Sequence, residues 1–215
     1  MELKITMTSL LLFLATNAGA ITLGFDCTTE NDSSGSSCYI AESQMSLDVD
    51  PRGDDQILFT FSNTGTIDSF IADVYFMYEG LDFLIFNSIL NPDSGVSFSE
   101  GSRPSHLPGY STTVAGFSAG SDSGGRYGSR GGRNRNGINE GESLGFLFDL
   151  EGATYDDVFV ALLGGDLVIG VHAQGLGEFS ESLITTPPAV VPLPATVWLF
   201  GSGLLVLFGL LRRSS

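Results

Sequence analysis

The strongest constraint on this chain is an uncharged run near its C-terminal end, Ala195 to Leu211, closing as Leu204-Leu205-Val206-Leu207-Phe208-Gly209-Leu210-Leu211. Seventeen residues give roughly 25 Å of helix at ~1.5 Å per residue, enough for a thin hydrocarbon core. A C-terminal core helix would need a polar face, and the run has none. Trp198 lies near one end, where an indole favours the headgroup region, and Arg212 and Arg213 close the other end. The positive-inside rule keeps that arginine pair cytoplasmic. The sequence therefore predicts a C-terminal transmembrane helix and basic cytoplasmic tail over 195–215, with the rest of the chain folding on the far side of the membrane.

The other end agrees with that orientation. Lys4 supplies a small positive region, weakened by Glu2, and Leu10 to Leu14 form the centre of a short apolar stretch. Ala18-Gly19-Ala20 follows, with Ala18 and Ala20 at the two positions where signal peptidase requires small side chains. The stretch is too short to span a bilayer comfortably, so residues 1–20 read as a signal peptide removed before Ile21.

Val191-Pro192-Leu193-Pro194 stands directly before the hydrophobic run. A proline-rich approach, a short apolar helix containing Gly201-Ser202-Gly203 and a terminal Arg212-Arg213 pair together resemble the PEP-CTERM sorting tail. Leu193 stands where the name-giving motif has glutamate, so the tail resembles a Val-Pro-Leu-Pro variant. The resemblance covers Val190 to Arg213 and implies an exosortase as partner. That membrane protease-transpeptidase belongs to Gram-negative bacteria that make extracellular polysaccharide. It implies a membrane-anchored precursor, cut near the motif, whose domain ends at the cell surface or outside the cell. The middle of the chain also resembles a central domain that often accompanies this tail, through Phe59–Gly65, Gly137–Gly145 and Ile169–Gly175. That second likeness implies no activity.

Between the two ends, 21–184 reads as one exported domain, followed by a proline-rich linker and sorting motif over 185–194. Gln56–Ser62 predicts a strand with Ile57, Phe59 and Phe61 on one face, closed by the turn Asn63-Thr64-Gly65. Phe70–Tyr78, Asp82–Asn87, Leu144–Leu150 and Leu167–Ala173 are further strands, with weaker ones over Val96–Ser99 and Thr112–Phe117. Thr154 and Asp157 fit a capping box, Val158, Ala161 and Leu162 recur at helical spacing, and Gly164-Gly165 ends the helix. The expected fold is mainly β, an antiparallel β-sandwich of jelly-roll type with one short helix. Asn31–Ser37 is rich in Ser and Gly, and 118–137 reads as a flexible Gly/Arg-rich loop.

Charge narrows the partners. There are 25 acidic against 9 basic residues, a net charge of −16, which repels phosphate backbones and excludes nucleic acid. Arg126, Arg130, Arg133 and Arg135 form a basic island in the glycine-rich stretch. It is either a solvated insertion or a contact for acidic extracellular polysaccharide.

Sites of chemistry are few. Cys27 and Cys38 are the only cysteines, and their exported position predicts a disulfide worth ~2–3 kcal/mol. Asp48, Asp50, Asp54 and Asp55 gather hard oxygens around an expected turn at Pro51. They are weak candidates for calcium, without EF-hand spacing. Arg52-Gly53-Asp54 is an adhesion-like tripeptide too short to be specific. Gly116-Phe117-Ser118-Ala119-Gly120 matches a nucleophile elbow, but Ser121-Asp122-Ser123-Gly124-Gly125 does not start the helix an elbow requires, so the string reads as a turn. His172 falls inside an apolar strand and His106 in a Pro/Gly-rich loop, which gives no zinc pattern. The expectation is a non-enzymatic envelope or matrix protein without catalytic residues. A carbohydrate- or calcium-binding module is the alternative, and a secreted hydrolase comes after both.

Overall fold

The computed structural model describes residues 19–90, 93–110, 116–122 and 136–186. The first half contains β1 (Ile21–Leu23), β2 (Phe25–Cys27), α1 (Ser36–Gln44), β3 (Met45–Pro51), β4 (Gln56–Asn63), β5 (Phe70–Tyr78), β6 (Leu84–Leu90) and β7 (Phe98–Glu100). The second half adds β8 (Gly116–Ser121), β9 (Ile138–Asn139), β10 (Glu142–Leu150), α2 (Tyr155–Gly164), β11 (Leu167–Leu176) and β12 (Phe179–Thr185). No helix among the described residues is long and apolar enough to cross a membrane. The span expected over 195–215 lies outside the described residues.

Every strand pairing is antiparallel. The first sheet runs β1-β3-β4-β10-β6; the second runs β2-β12-β11-β5-β8-β7, with β9 also on β5. One core joins them, and its centre is aromatic. Phe76 of β5 contacts Phe59 and Phe61 of β4 and Phe146 and Phe148 of β10, at centroid distances from 4.8 to 5.9 Å. Phe86 of β6 stacks on Phe117 of β8 at 4.0 Å. Edge-to-face geometry dominates these contacts, as ring quadrupoles favour. The alternation of β4 explains its place: Ile57, Phe59 and Phe61 point inward and are fully buried.

Helix α2 forms where Thr154 and Asp157 predict it. The Asp157 carboxylate accepts the Thr154 N–H at 2.7 Å and its hydroxyl at 2.8 Å, and Gly165 ends the helix in the left-handed region. The two Thr154 bonds, that from the N–H being the larger, hold the Asp157 carboxyl below the usual aspartate value. A second helix, α1, corrects the expectation of one. Its sequence, Ser36-Ser37-Cys38-Tyr39-Ile40-Ala41-Glu42-Ser43-Gln44, carries no clear apolar stripe, so tertiary anchors hold it instead. One anchor is Gln44, whose amide nitrogen donates to the Ile67 carbonyl and Ser69 hydroxyl while its oxygen accepts from the N–H groups of Thr66 and Ile67.

Two boundaries also change. Ser118–Ser121, expected in the flexible loop over 118–137, belong to β8, which lies between β5 and β7. Met45–Pro51 forms β3, so Asp48 and Asp50 alternate with the buried Leu47 and Val49 instead of gathering on a turn.

Candidate functional site

Two buried polar clusters stand out among the described residues, and both involve carboxylates that sequence patterning leaves unmarked. The first centres on Glu181 of β12, which is fully buried. A buried carboxylate is costly unless its oxygens are filled by donors. Here Oε1 accepts from the Ser37 hydroxyl at 2.6 Å and the Asn31 N–H at 3.0 Å, and Oε2 accepts from the Thr29 hydroxyl at 2.7 Å. All these donors lie between the two cysteines. Cys27 and Cys38 are joined in the disulfide that the sequence predicts, with Cα atoms 5.8 Å apart. The bridge closes the loop, and the loop supplies the cradle.

The same corner brings Cys27, Cys38 and Glu181 close enough for their ligand atoms to lie within 4.8 Å of one another. Its donor chemistry does not fit a cation. Both sulfurs are spent in the bridge, and hydroxyl and amide hydrogens already occupy the carboxylate.

The second cluster sits on the outer face of the second sheet. Asp73 of β5 is buried, and its register partner His172 of β11 places Nδ1 3.5 Å from Asp73 Oδ2. The Arg103 N–H donates to Asp73 Oδ1 at 3.0 Å, and Gln174 Nε2 lies 3.4 Å from His172 Nδ1. Arg103 opens a segment that folds back over this face. Tyr75 donates its hydroxyl to the Pro104 carbonyl at 2.9 Å, and Leu107 is buried against Tyr75 and Met77. Gly170 makes the approach possible: a Cβ there would lie 2.6 Å from the Leu107 side chain and 3.0 Å from the Leu183 carbonyl.

A carboxylate that orients an imidazole is half of a hydrolytic relay, and the other half is a hydroxyl or thiol within hydrogen-bond reach of the ring. Among the described residues no serine, threonine or cysteine side chain is hydrogen-bonded to His172. Asp73 also receives the Arg103 N–H, which ties the covering segment to the sheet. Ser118 lies mid-strand in β8 opposite Tyr75, and its hydroxyl oxygen accepts from the Ser102 N–H at 3.3 Å. The string expected to turn there is a strand because its glycines fit a sheet: Gly116 passes so close to the Phe76 carbonyl that a Cβ would overlap it.

The other sequence candidates are scattered. Asp48 accepts from the Thr22 hydroxyl on the outer face of the first sheet, and Asp54 and Asp55 are exposed in the turn between β3 and β4. No three of Asp48, Asp50, Asp54 and Asp55 bring their oxygens within metal-ligating range of one another. Arg52-Gly53-Asp54 is exposed in that turn, and His106 is exposed in the covering segment. Ala20 is exposed immediately before β1. Ala18, Val191, Pro192, Leu193, Pro194, Arg212 and Arg213 lie outside the described residues, as do Arg126, Arg130, Arg133 and Arg135.

No protein-family model, curated protein or solved structure matches the chain.

Proposed function

We propose that this chain is a non-enzymatic cell-envelope or extracellular protein, exported through its N-terminal signal and sorted by an exosortase through its C-terminal tail. The Cys27–Cys38 bridge carries the export half of this reading, since structural disulfides persist in oxidising compartments. The element boundaries support it too. Strand β1 begins at Ile21, so cleavage after Ala20 leaves every described strand whole. The last described hydrogen bonds at the other end run from Thr186 to the Gly24 carbonyl, ahead of the proline-rich linker.

In this reading the sorting motif is Val191 to Pro194, read together with Arg212 and Arg213, and the domain is the cargo it delivers. The sandwich is of jelly-roll type, a reading favoured by strands that change sheet at each step through β4, β5, β6, β7–β8, β10 and β11. Intact-mass measurement on the protein recovered from cells and from medium tests the proposal. A species beginning at Ile21, two hydrogens lighter for the bridge and ending near Pro194 is expected. A chain that keeps Met1 and free thiols would overturn export, and one that keeps Ser215 in every fraction would overturn sorting by cleavage.

A further inference from the structure

Among the described residues the two sheets have four edges, and three of them are strands of three residues: β1, β2 and β7. Such short edges offer little to a foreign strand. The fourth is β6, seven residues long, and among the described residues it pairs only with β10. Leu84-Ile85-Phe86-Asn87-Ser88-Ile89-Leu90 holds no charge and no proline, on a chain whose net charge is −16. Ile85 and Leu90 are each 43% exposed, two of the few large apolar side chains that reach solvent.

The strand is also symmetric in an unusual way. Phe148 pairs with Phe86 and Leu147 with Ser88, so Asn87 is a bulge without a partner in β10. The bulge resets the alternation. Phe86 and Ile89 both face the core, and Ile85 and Leu90 both face outward. Reversing the strand about a point between Asn87 and Ser88 therefore lays like on like.

We propose that β6 is a self-association edge, at which two copies of this chain pair antiparallel about a two-fold axis between Asn87 and Ser88. In that register Phe86 lies opposite the second copy's Ile89, and Ile85 opposite its Leu90. The contact is isologous, so it closes at a dimer. A second copy fits better than an unlike strand because the sequence complements its own reverse, and because β6 is where two acidic chains meet without facing carboxylates. Each copy carries a net charge of −16, so the two chains repel as they approach. Salt therefore strengthens the pairing. One pair of short strands falls below the roughly 1,200 Å² of a standard specific interface, so the dimer exchanges readily.

The test uses full-length chains in detergent. The natural cysteines are bridged, so an added cysteine is the only free thiol. Both Ile85 and Leu90 are exposed, which keeps the core intact on replacement. Under mild oxidation, Ile85→Cys mixed with Leu90→Cys is expected to give a disulfide-linked dimer that neither variant gives alone, with a yield that rises with salt. Val160→Cys, exposed on α2, controls for chains brought together by their hydrophobic tails. No linked dimer from the mixture overturns the proposal. So does an equal yield from Val160→Cys or from Ile85→Cys alone.

Discussion

On the outer face of the first sheet, Thr22, Asp48, Gln56, Thr60 and Asp149 meet solvent, and β3 alternates buried with half-buried positions along its length. On the outer face of the second sheet, Tyr75, Met77 and Leu107 form a small separate core with Tyr110, Val168 and Ile184 around it. The two faces belong to one sandwich and differ because a single segment, 102–110, folds over one of them. The consequence reaches back into sequence. Strand β5 is buried at every position but its last, so Phe70–Tyr78 carries apolar residues in both phases, whereas β3 carries them in one. Alternation in a strand reports how many of its faces are covered, not whether it is a strand.

The shared core sets the upper bound of that contrast. Phe76→Ala removes the ring that touches both central strands of the opposite sheet and is expected to cost about 3–5 kcal/mol in urea unfolding. Reducing the Cys27–Cys38 bridge comes next, at about 3 kcal/mol by loop-closure entropy. Its effect should be coupled to Glu181. In the bridged protein Glu181→Gln costs about 2 kcal/mol, and after reduction the same change costs less, because the cradle has already loosened. Equal costs in the two states would separate the carboxylate from the bridge.

The faces themselves can then be compared directly. Leu107→Ala should cost about 2–3 kcal/mol, a transfer loss plus a cavity in the covered face. Leu147→Ala, half-buried on the open face opposite Leu58, should cost only part of the transfer term, about 1 kcal/mol. Matching values would break the distinction. Amide exchange should rise across the covering segment in the first variant and stay unchanged there in the second.

The smallest effect is a titration. Asp149 on the open face accepts from Asn87 Nδ2 at 2.9 Å and Gln56 Nε2 at 2.7 Å, and these bonds, the Asn87 one the larger, hold its carboxyl below the usual aspartate value. A lowered folded value means that the contribution to stability is present above the unfolded aspartate pKa of about 3.9. That contribution is lost as pH falls through the folded value. Carboxyl NMR should place the Asp149 midpoint low in the parent and nearer the usual value in Asn87→Ala. An unmoved midpoint would remove the hydrogen bond as its cause.

Much of the sandwich is legible from sequence where one physical signal acts alone. The predicted Gln56–Ser62 and the observed β4 differ by a single residue, and Phe70–Tyr78 coincides with β5, because long apolar runs between turns leave few alternatives. Helix α1 is not legible. Ser36–Gln44 has almost no amphipathic pattern, and what fixes it is the bridge at Cys38, Ser37 on Glu181 and Gln44 on the turn after β4. Strand β8 is only half legible: Thr112–Phe117 reads as a weak strand, but 118–121 read as the start of a glycine-rich loop, and the crowding that makes Gly116 a strand residue comes from the Phe76 carbonyl of β5. Glu181 and Asp73 carry no local mark, as their partners lie far away in sequence. Asp48 and Asp50 mislead in the opposite direction, clustering in sequence while β3 spreads them along a strand.

The pairing of β2 with β12 joins Cys27 to Leu183 and Phe25 to Thr185, nearly the whole domain apart in sequence. A ladder between the first and last described strands of the second sheet cannot form while the chain between them is still being made. Its closure waits on the slowest, most distant contact, and topologies of this kind fold slowly. A chain emerging N-terminus first therefore stays open until residue 185 is available, and only an open chain can be threaded through a narrow pore. The fold carries its own delay: the strand that completes the second sheet is the last described one to arrive.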